Sequence, residues 1–176
     1  MSARVNLSTL PLEQSKADVI AYAIKDDGNM TGGLPQTLLI ECGEELQTAL
    51  RAGLNECPRQ LGDIVWTPAF NMEKTRFVAH IIGAIAETRC ADPGQLEASV
   101  YQTLYLAEQA AGVNQVAFAN LATGAGRASA DEMARLTIGP IRRYFRDHRD
   151  SRLNVVLSLP DWQDYQAYQS ALSRSF

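Results

Sequence analysis

Two short stretches hold the residues best placed to do chemistry. They are Lys25-Asp-Asp-Gly-Asn-Met-Thr-Gly-Gly33 and Asn120-Leu-Ala-Thr-Gly-Ala-Gly126. Each follows a short apolar run with strand character and leads into the start of a helix. Glycine has no Cβ, so backbone N–H groups can converge on a ligand and approach it closely. Such a nest, with a helix N-terminus beside it, attracts anions. In open α/β sheets ligands bind outside the carboxyl ends of the strands. The pair of loops is therefore a candidate phosphate or diphosphate site. Taken singly, each loop also fits a turn that uses glycine for steric reasons alone. Lys25, Asp26 and Asp27 are the candidate catalytic residues, since a charged side chain near a ribose can act as general base or electrostatic stabiliser. The run Asp-Asp-Gly-Asn is also a turn former, and that plainer reading is preferred.

Other chemistries find little support. No Gly-Lys-Ser/Thr follows either loop, and neither matches GxGxxG with a spaced acid. No GxSxG nucleophile turn occurs. The histidines are His80 and His148, and there is no CxxC or HExxH, so no metal ligand set is expected and no cofactor is implied. His80 sits in Phe-Val-Ala-His-Ile-Ile, which reads as a satisfied core histidine. Trp162 and Tyr165 could stack on a base, but their helical spacing fits core packing better.

These loops need a scaffold, and the hydrophobic pattern supplies one. Val19–Ile24, Asp63–Thr67, Phe77–Ile82, Val113–Ala119 and Leu153–Leu159 read as strands. Leu39, Cys42, Leu46 and Leu50 recur at helical spacing, which predicts one helix from Pro35 to about Ala52, weakened at Gly43 and stopped by Gly53. Asp92, Pro93 and Gln95 open a second helix as a capping box, closed by Gly112. Ser129 and Glu132 open a third as another box, running to about Arg146 with a kink or break at Pro140. Trp162, Tyr165, Tyr168 and Leu172 mark the last. Alternating strands and helices give an α/β fold, helices covering both faces of a mixed central sheet.

The chain has 176 residues, enough for one domain with a sizeable core. Its formal net charge of −4 argues against nucleic acid as a direct partner. Arg142, Arg143, Arg146, His148 and Arg149 cluster near a helix C-terminus, where cations complement the dipole. No apolar run approaches the roughly 18 residues of a membrane span. Residues 1–16 lack a secretory apolar core, and three unspaced cysteines (Cys42, Cys57, Cys90) suit a reducing compartment, so a cytoplasmic location is expected.

From about residue 17 to 172 the chain resembles the macro domain, a family that binds ADP-ribose. Leu61–Ala84 is similar to the family's strand, its Pro-Ala-x-Asn-Leu connection, and the strand ending in a His-x-Val-Gly pattern. Leu96–Gly126 is similar to its tyrosine-bearing helix, its Ile-Ala-Phe-Pro strand and its Ser-Thr-Gly loop. The resemblance implies a three-layer α/β/α domain over residues 1–176. It implies that Thr31, Gly32, Gly33 and Leu34 wrap the diphosphate and proximal ribose. It places Ala122, Thr123, Gly124, Ala125 and Gly126 on the diphosphate from the other side, with Arg127 adding a cation that meets a phosphate or faces water. The implied partner is ADP-ribose or an ADP-ribosylated macromolecule, which brings in nucleic acid only as a modified substrate.

The departures bear on activity. The family's Asn-Ala-Ala-Asn is here Tyr22-Ala23-Ile24-Lys25, so the second Asn of its hydrolytic branches is a lysine. The adenine-binding Asp has no counterpart in Leu10-Pro11-Leu12-Glu13. The ring that covers the diphosphate falls at Gly126. The branch that removes ADP-ribose from glutamate is suggested by Ala21–Leu34, but its catalytic Lys and Asp would fall near Gly83 and Gly126. The first strand or two look shortened. Three readings follow: a binding module without efficient catalysis, an ADP-ribosyl hydrolase using other groups, and an interaction protein with a vestigial pocket. The first is expected.

Overall fold

A computed structural model describes residues 4–56, 59–85, 89–121 and 128–174. In chain order the elements are β1 (Val5–Ser8), a 3-10 turn (Leu12–Gln14), β2 (Val19–Lys25), α1 (Gly33–Cys42), α2 (Glu45–Glu56), β3 (Ile64–Pro68), β4 (Phe77–Ile85), β5 (Arg89–Cys90), α3 (Pro93–Gln109), β6 (Gln115–Ala119), α4 (Ala130–Asp147), β7 (Asn154–Ser158) and α5 (Trp162–Ser173). The strands form one sheet in the order β1-β7-β6-β2-β4-β3, with β5 also paired to β4. Neighbours from β1 to β4 are parallel, while β3 and β5 run antiparallel to β4. The sheet is therefore mixed, as expected.

Alternation along β2 shows how the layers arise. Val19, Ala21 and Ala23 point to the face covered by α3, α4 and α5. Ile20, Tyr22 and Ile24 point to the face covered by α1, α2 and the 3-10 turn. A strand buried on both sides needs apolar residues throughout, which is why Val19–Ile24 reads as one continuous run. Asp18 fixes the start of this strand: its carboxylate accepts the N–H groups of Asn114 (2.8 Å) and Gln115 (3.0 Å), and its carbonyl those of Arg76 and Phe77.

Several boundaries differ from the sequence reading. The helix expected over Pro35–Ala52 is two helices, α1 and α2, broken at Gly43. Gly43 has φ +93°, and a Cβ there would lie 2.6 Å from Asn71 Nδ2. Gly53 is not a stop but lies inside α2. It lets the helix approach β3, since a Cβ would meet Val65 Cγ1 at 2.5 Å. Val65 is buried and branched and has little room to yield. Gly53→Ala should therefore destabilise the fold by about 1–3 kcal/mol despite the better helix propensity. Urea unfolding checks this; an equal or higher midpoint would show that α2 can shift away from β3.

The Asp92–Gln95 capping box forms in full. At α4 the Ser129 hydroxyl accepts the Glu132 N–H. No break occurs at Pro140. Its ring is buried in a helix packed between α3 and α5, and the preceding Gly139 offers no side chain to crowd it. Two strands escaped the sequence reading, β1, only four residues long, and β5, only two, as did the 3-10 turn at Leu12–Gln14. Cys42 is buried and Cys90 half-buried, both as free thiols; Cys57 lies outside the described residues. Among the described residues no helix is long and apolar enough to cross a membrane.

Candidate functional site

The topology itself creates a crevice. β2 and β6 are adjacent and parallel, so their carboxyl ends lie side by side. The chain leaves β2 for α1 on one face and leaves β6 for α4 on the other. Adjacent strands whose helices go to opposite faces open a gap between their loops, the place where ligands bind in such sheets.

The β2 loop is built from within. Lys25 ends the strand at a register shift against β4. The Asp27 carboxylate accepts the Asn29 N–H (2.9 Å), and the Asn29 side chain accepts the Thr31 N–H (3.0 Å), giving two successive turns. Met30 is buried between them and pins the loop to the core. Thr31, Gly32 and Gly33 are consequently held out in solvent at the start of α1. Gly32 (φ +77°) and Gly33 (φ +57°) both take backbone conformations that favour glycine. No side chain caps this helix, although the Gln36 side chain accepts the Gly32 N–H at 3.1 Å. Asp27 thus takes the turn-forming role preferred from sequence. On the β6 side, Ala122, Thr123, Gly124, Ala125, Gly126 and Arg127 lie outside the described residues.

Beside the crevice lies a cavity of about 350 Å³. Its apolar walls are Pro11, Leu12, Leu34 and Pro160, and Glu13, Asp161 and Asp164 bring carboxylates to it. Leu34 is the one residue of the predicted Thr31–Leu34 set that lines it. Asp161 caps α5, its Oδ1 accepting the Gln163 and Asp164 N–H groups at 2.8 and 3.1 Å.

Asn120 opens the second candidate loop but was not named from sequence among its ligand-binding residues. It also lines the cavity, donating from Nδ2 to Asp164 Oδ2 at 2.6 Å. Its Oδ1 accepts from the Tyr168 hydroxyl at 3.3 Å, and that hydroxyl is 3.1 Å from Thr137 Oγ1. Burial, opposed by the Thr137 hydrogen bond and aided by Asp164, pushes the Tyr168 hydroxyl up to about 12, so it stays a neutral donor. The sequence signal was a polar residue directly after the apolar Val116–Ala119.

His80 is the core residue that its setting implied. It is fully buried, with Nδ1 2.7 Å from the Tyr22 hydroxyl and Nε2 3.0 Å from Thr67 Oγ1. Burial drives its pKa down to about 3. Tyr22 is thereby held beneath α1 and α2, away from the cavity. The expectation for Trp162 is corrected. It is 61% exposed in the first turn of α5, stacked on Tyr165 with ring centroids 5.5 Å apart, because the helix turns Ala167 and Tyr168 inward instead.

A three-layer α/β/α module with a crevice at the β2/β6 switch is the class that fold and site define. The family model for the macro domain matches residues 22–137, more than half of the chain. The chain belongs to the macro domain family. It is similar to an uncharacterized protein of Fusobacterium nucleatum, 25% identical over 157 residues, which cover 88% of this chain and 85% of that one. Among solved structures, the Oceanobacillus iheyensis macrodomain with ADP superposes with a TM-score of 0.82 at 20% identity, covering 96% of this chain and 89% of the other. The Trypanosoma brucei macrodomain in complex with ADP-ribose gives 0.82 at 20% identity, covering 96% and 69%.

Proposed function

We propose that this chain binds ADP-ribose, or a related nucleoside diphosphate, in the β2/β6 crevice. The observation that carries the reading is the exposed Gly32-Gly33 pair at the N-terminus of α1, on one lip of the switch-point crevice. Backbone N–H groups and the helix dipole there suit a diphosphate. Thr31, Gly32, Gly33 and Leu34 hold it from the β2 side, and Ala122–Arg127 from the β6 side. The neighbouring cavity takes the base: its apolar walls suit a planar ring, and its carboxylates accept from an exocyclic amine. That supplies base recognition where the family's adenine-binding Asp has no counterpart in Leu10-Pro11-Leu12-Glu13. Two similar macrodomains, from Oceanobacillus iheyensis and Trypanosoma brucei, are known with ADP and ADP-ribose respectively, which supports the same ligand class here.

Catalysis has weaker support. Lys25 replaces the family's second Asn, and the Asp27 carboxylate is engaged in its own turn. A vestigial pocket is also disfavoured, because Tyr22, the bulky residue that could have filled it, is bonded to His80 instead. Titration calorimetry with ADP-ribose should show saturable 1:1 binding, and incubation with ADP-ribosylated proteins or nucleic acids should release no ADP-ribose. Absence of heat at millimolar ligand, with the protein folded, would sink the binding reading.

A further inference from the structure

We infer that Asn120 and Asp164 form a latch that positions the base end of the crevice, an inference that rests on the binding reading above. Asn120 follows directly on β6, and Asp164 lies in the first turn of α5. Their 2.6 Å hydrogen bond ties the chain leaving β6 to the helix that follows β7. Both residues line the cavity, so the bond sets the distance between two of its walls. The amide has a fixed orientation. Tyr168, buried and neutral, donates to Oδ1 and leaves Nδ2 for the carboxylate. Thr137, buried in α4, holds the Tyr168 hydroxyl in turn. This partly buried chain favours one geometry, because a flip of the amide would set Oδ1 against the Asp164 carboxylate, two acceptors with no proton between them. The backbone of Asp164 is fixed separately, by the Asp161 cap. Of the two Asp164 oxygens, Oδ2 is bonded to Asn120, which fixes how the carboxylate is presented to the cavity.

Asn120 is on this account a positioning residue, and a swap distinguishes positioning from general support. Asn120→Ala and Asp164→Ala should each weaken ADP-ribose binding about tenfold, the scale of a lost hydrogen bond to a charged group. The double exchange Asn120→Asp with Asp164→Asn keeps both bonds of the latch: Tyr168 donates to the new carboxylate, and so does the new amide. It should restore affinity to within about threefold of the parent. Calorimetry reads affinity, and hydrogen exchange over residues 119–121 and 161–166 reads the latch without ligand. Exchange there should quicken in both alanine variants and recover in the swap. Single variants that bind like the parent, or a swap that recovers neither affinity nor protection, would overturn the latch. A parent chain that binds no ADP-ribose refutes the binding reading instead, and exchange protection alone then decides whether the latch exists.

Discussion

Gly33→Asp should reduce ADP-ribose affinity about a hundredfold or more, while Gly33→Ala costs far less. Both substitutions place a side chain at a left-handed backbone position, since Gly33 sits at φ +57°, and the burden is the heavier for Ala. Asp tolerates that left-handed region better than most residues, so strain should cost the fold only about 1 kcal/mol. Space is not the obstacle: the nearest atom to a Cβ there is Pro35 Cδ at 3.9 Å. The two variants differ in charge. A carboxylate at the first turn of α1 competes for the uncapped N–H groups and repels the diphosphate. At about 4 Å, two unit charges near a protein surface interact by about 4 kcal/mol, enough for a hundredfold loss. Calorimetry of both variants, with melting temperatures as the control, tests this. Equal losses in Ala and Asp would mean that backbone geometry alone matters. No loss in either would remove the β2 loop from the site.

The core strands were legible because strands covered on both faces demand near-continuous apolar runs, and Val19–Ile24 and Phe77–Ile82, the latter interrupted only at His80, supply them. The glycine loop ahead of α1 was legible as a turn for a similar reason: Gly32 and Gly33 follow such a strand and lead into a helix start. Edge elements were not. β1 buries little and is defined by its pairing to β7, a partner about 150 positions away, which no local pattern reports. The split of the first helix at Gly43 depends on Asn71, again a distant contact. The cavity was hidden for the same cause. Glu13, Leu34, Asn120 and Asp164 come from four separate segments, brought together by the order in which strands pair. The family pattern could mark where its adenine-binding Asp was missing. It could not say that carboxylates from the start of α5 would stand nearby.

His80 should govern part of the acid limb of stability. Its ring joins three strands: it sits on β4, meets Tyr22 of β2 and meets Thr67 of β3. Both partners are hydroxyls and offer no countercharge, so burial alone sets the balance and holds the folded-state pKa at about 3. In the unfolded chain the imidazole titrates near its ordinary value of about 6.5. Above that value it is neutral in both states and exerts no pH effect. As the pH falls below it, the unfolded chain takes up a proton that the folded protein refuses, and stability drops by about 1.4 kcal/mol per unit. The loss continues down to the folded pKa. His80→Gln keeps polar atoms between Tyr22 and Thr67 but removes this proton. At pH 7.5 the variant should be less stable than the parent by about 1–3 kcal/mol, through imperfect hydrogen bonds. Between pH 6.5 and 4.5 the parent should lose about 2 kcal/mol that the variant does not, so the two stability curves converge or cross. Every other residue is common to both proteins and cancels in the difference. Urea unfolding at four pH values measures it, and curves that stay parallel would show that the buried ring finds a countercharge or water when it ionises.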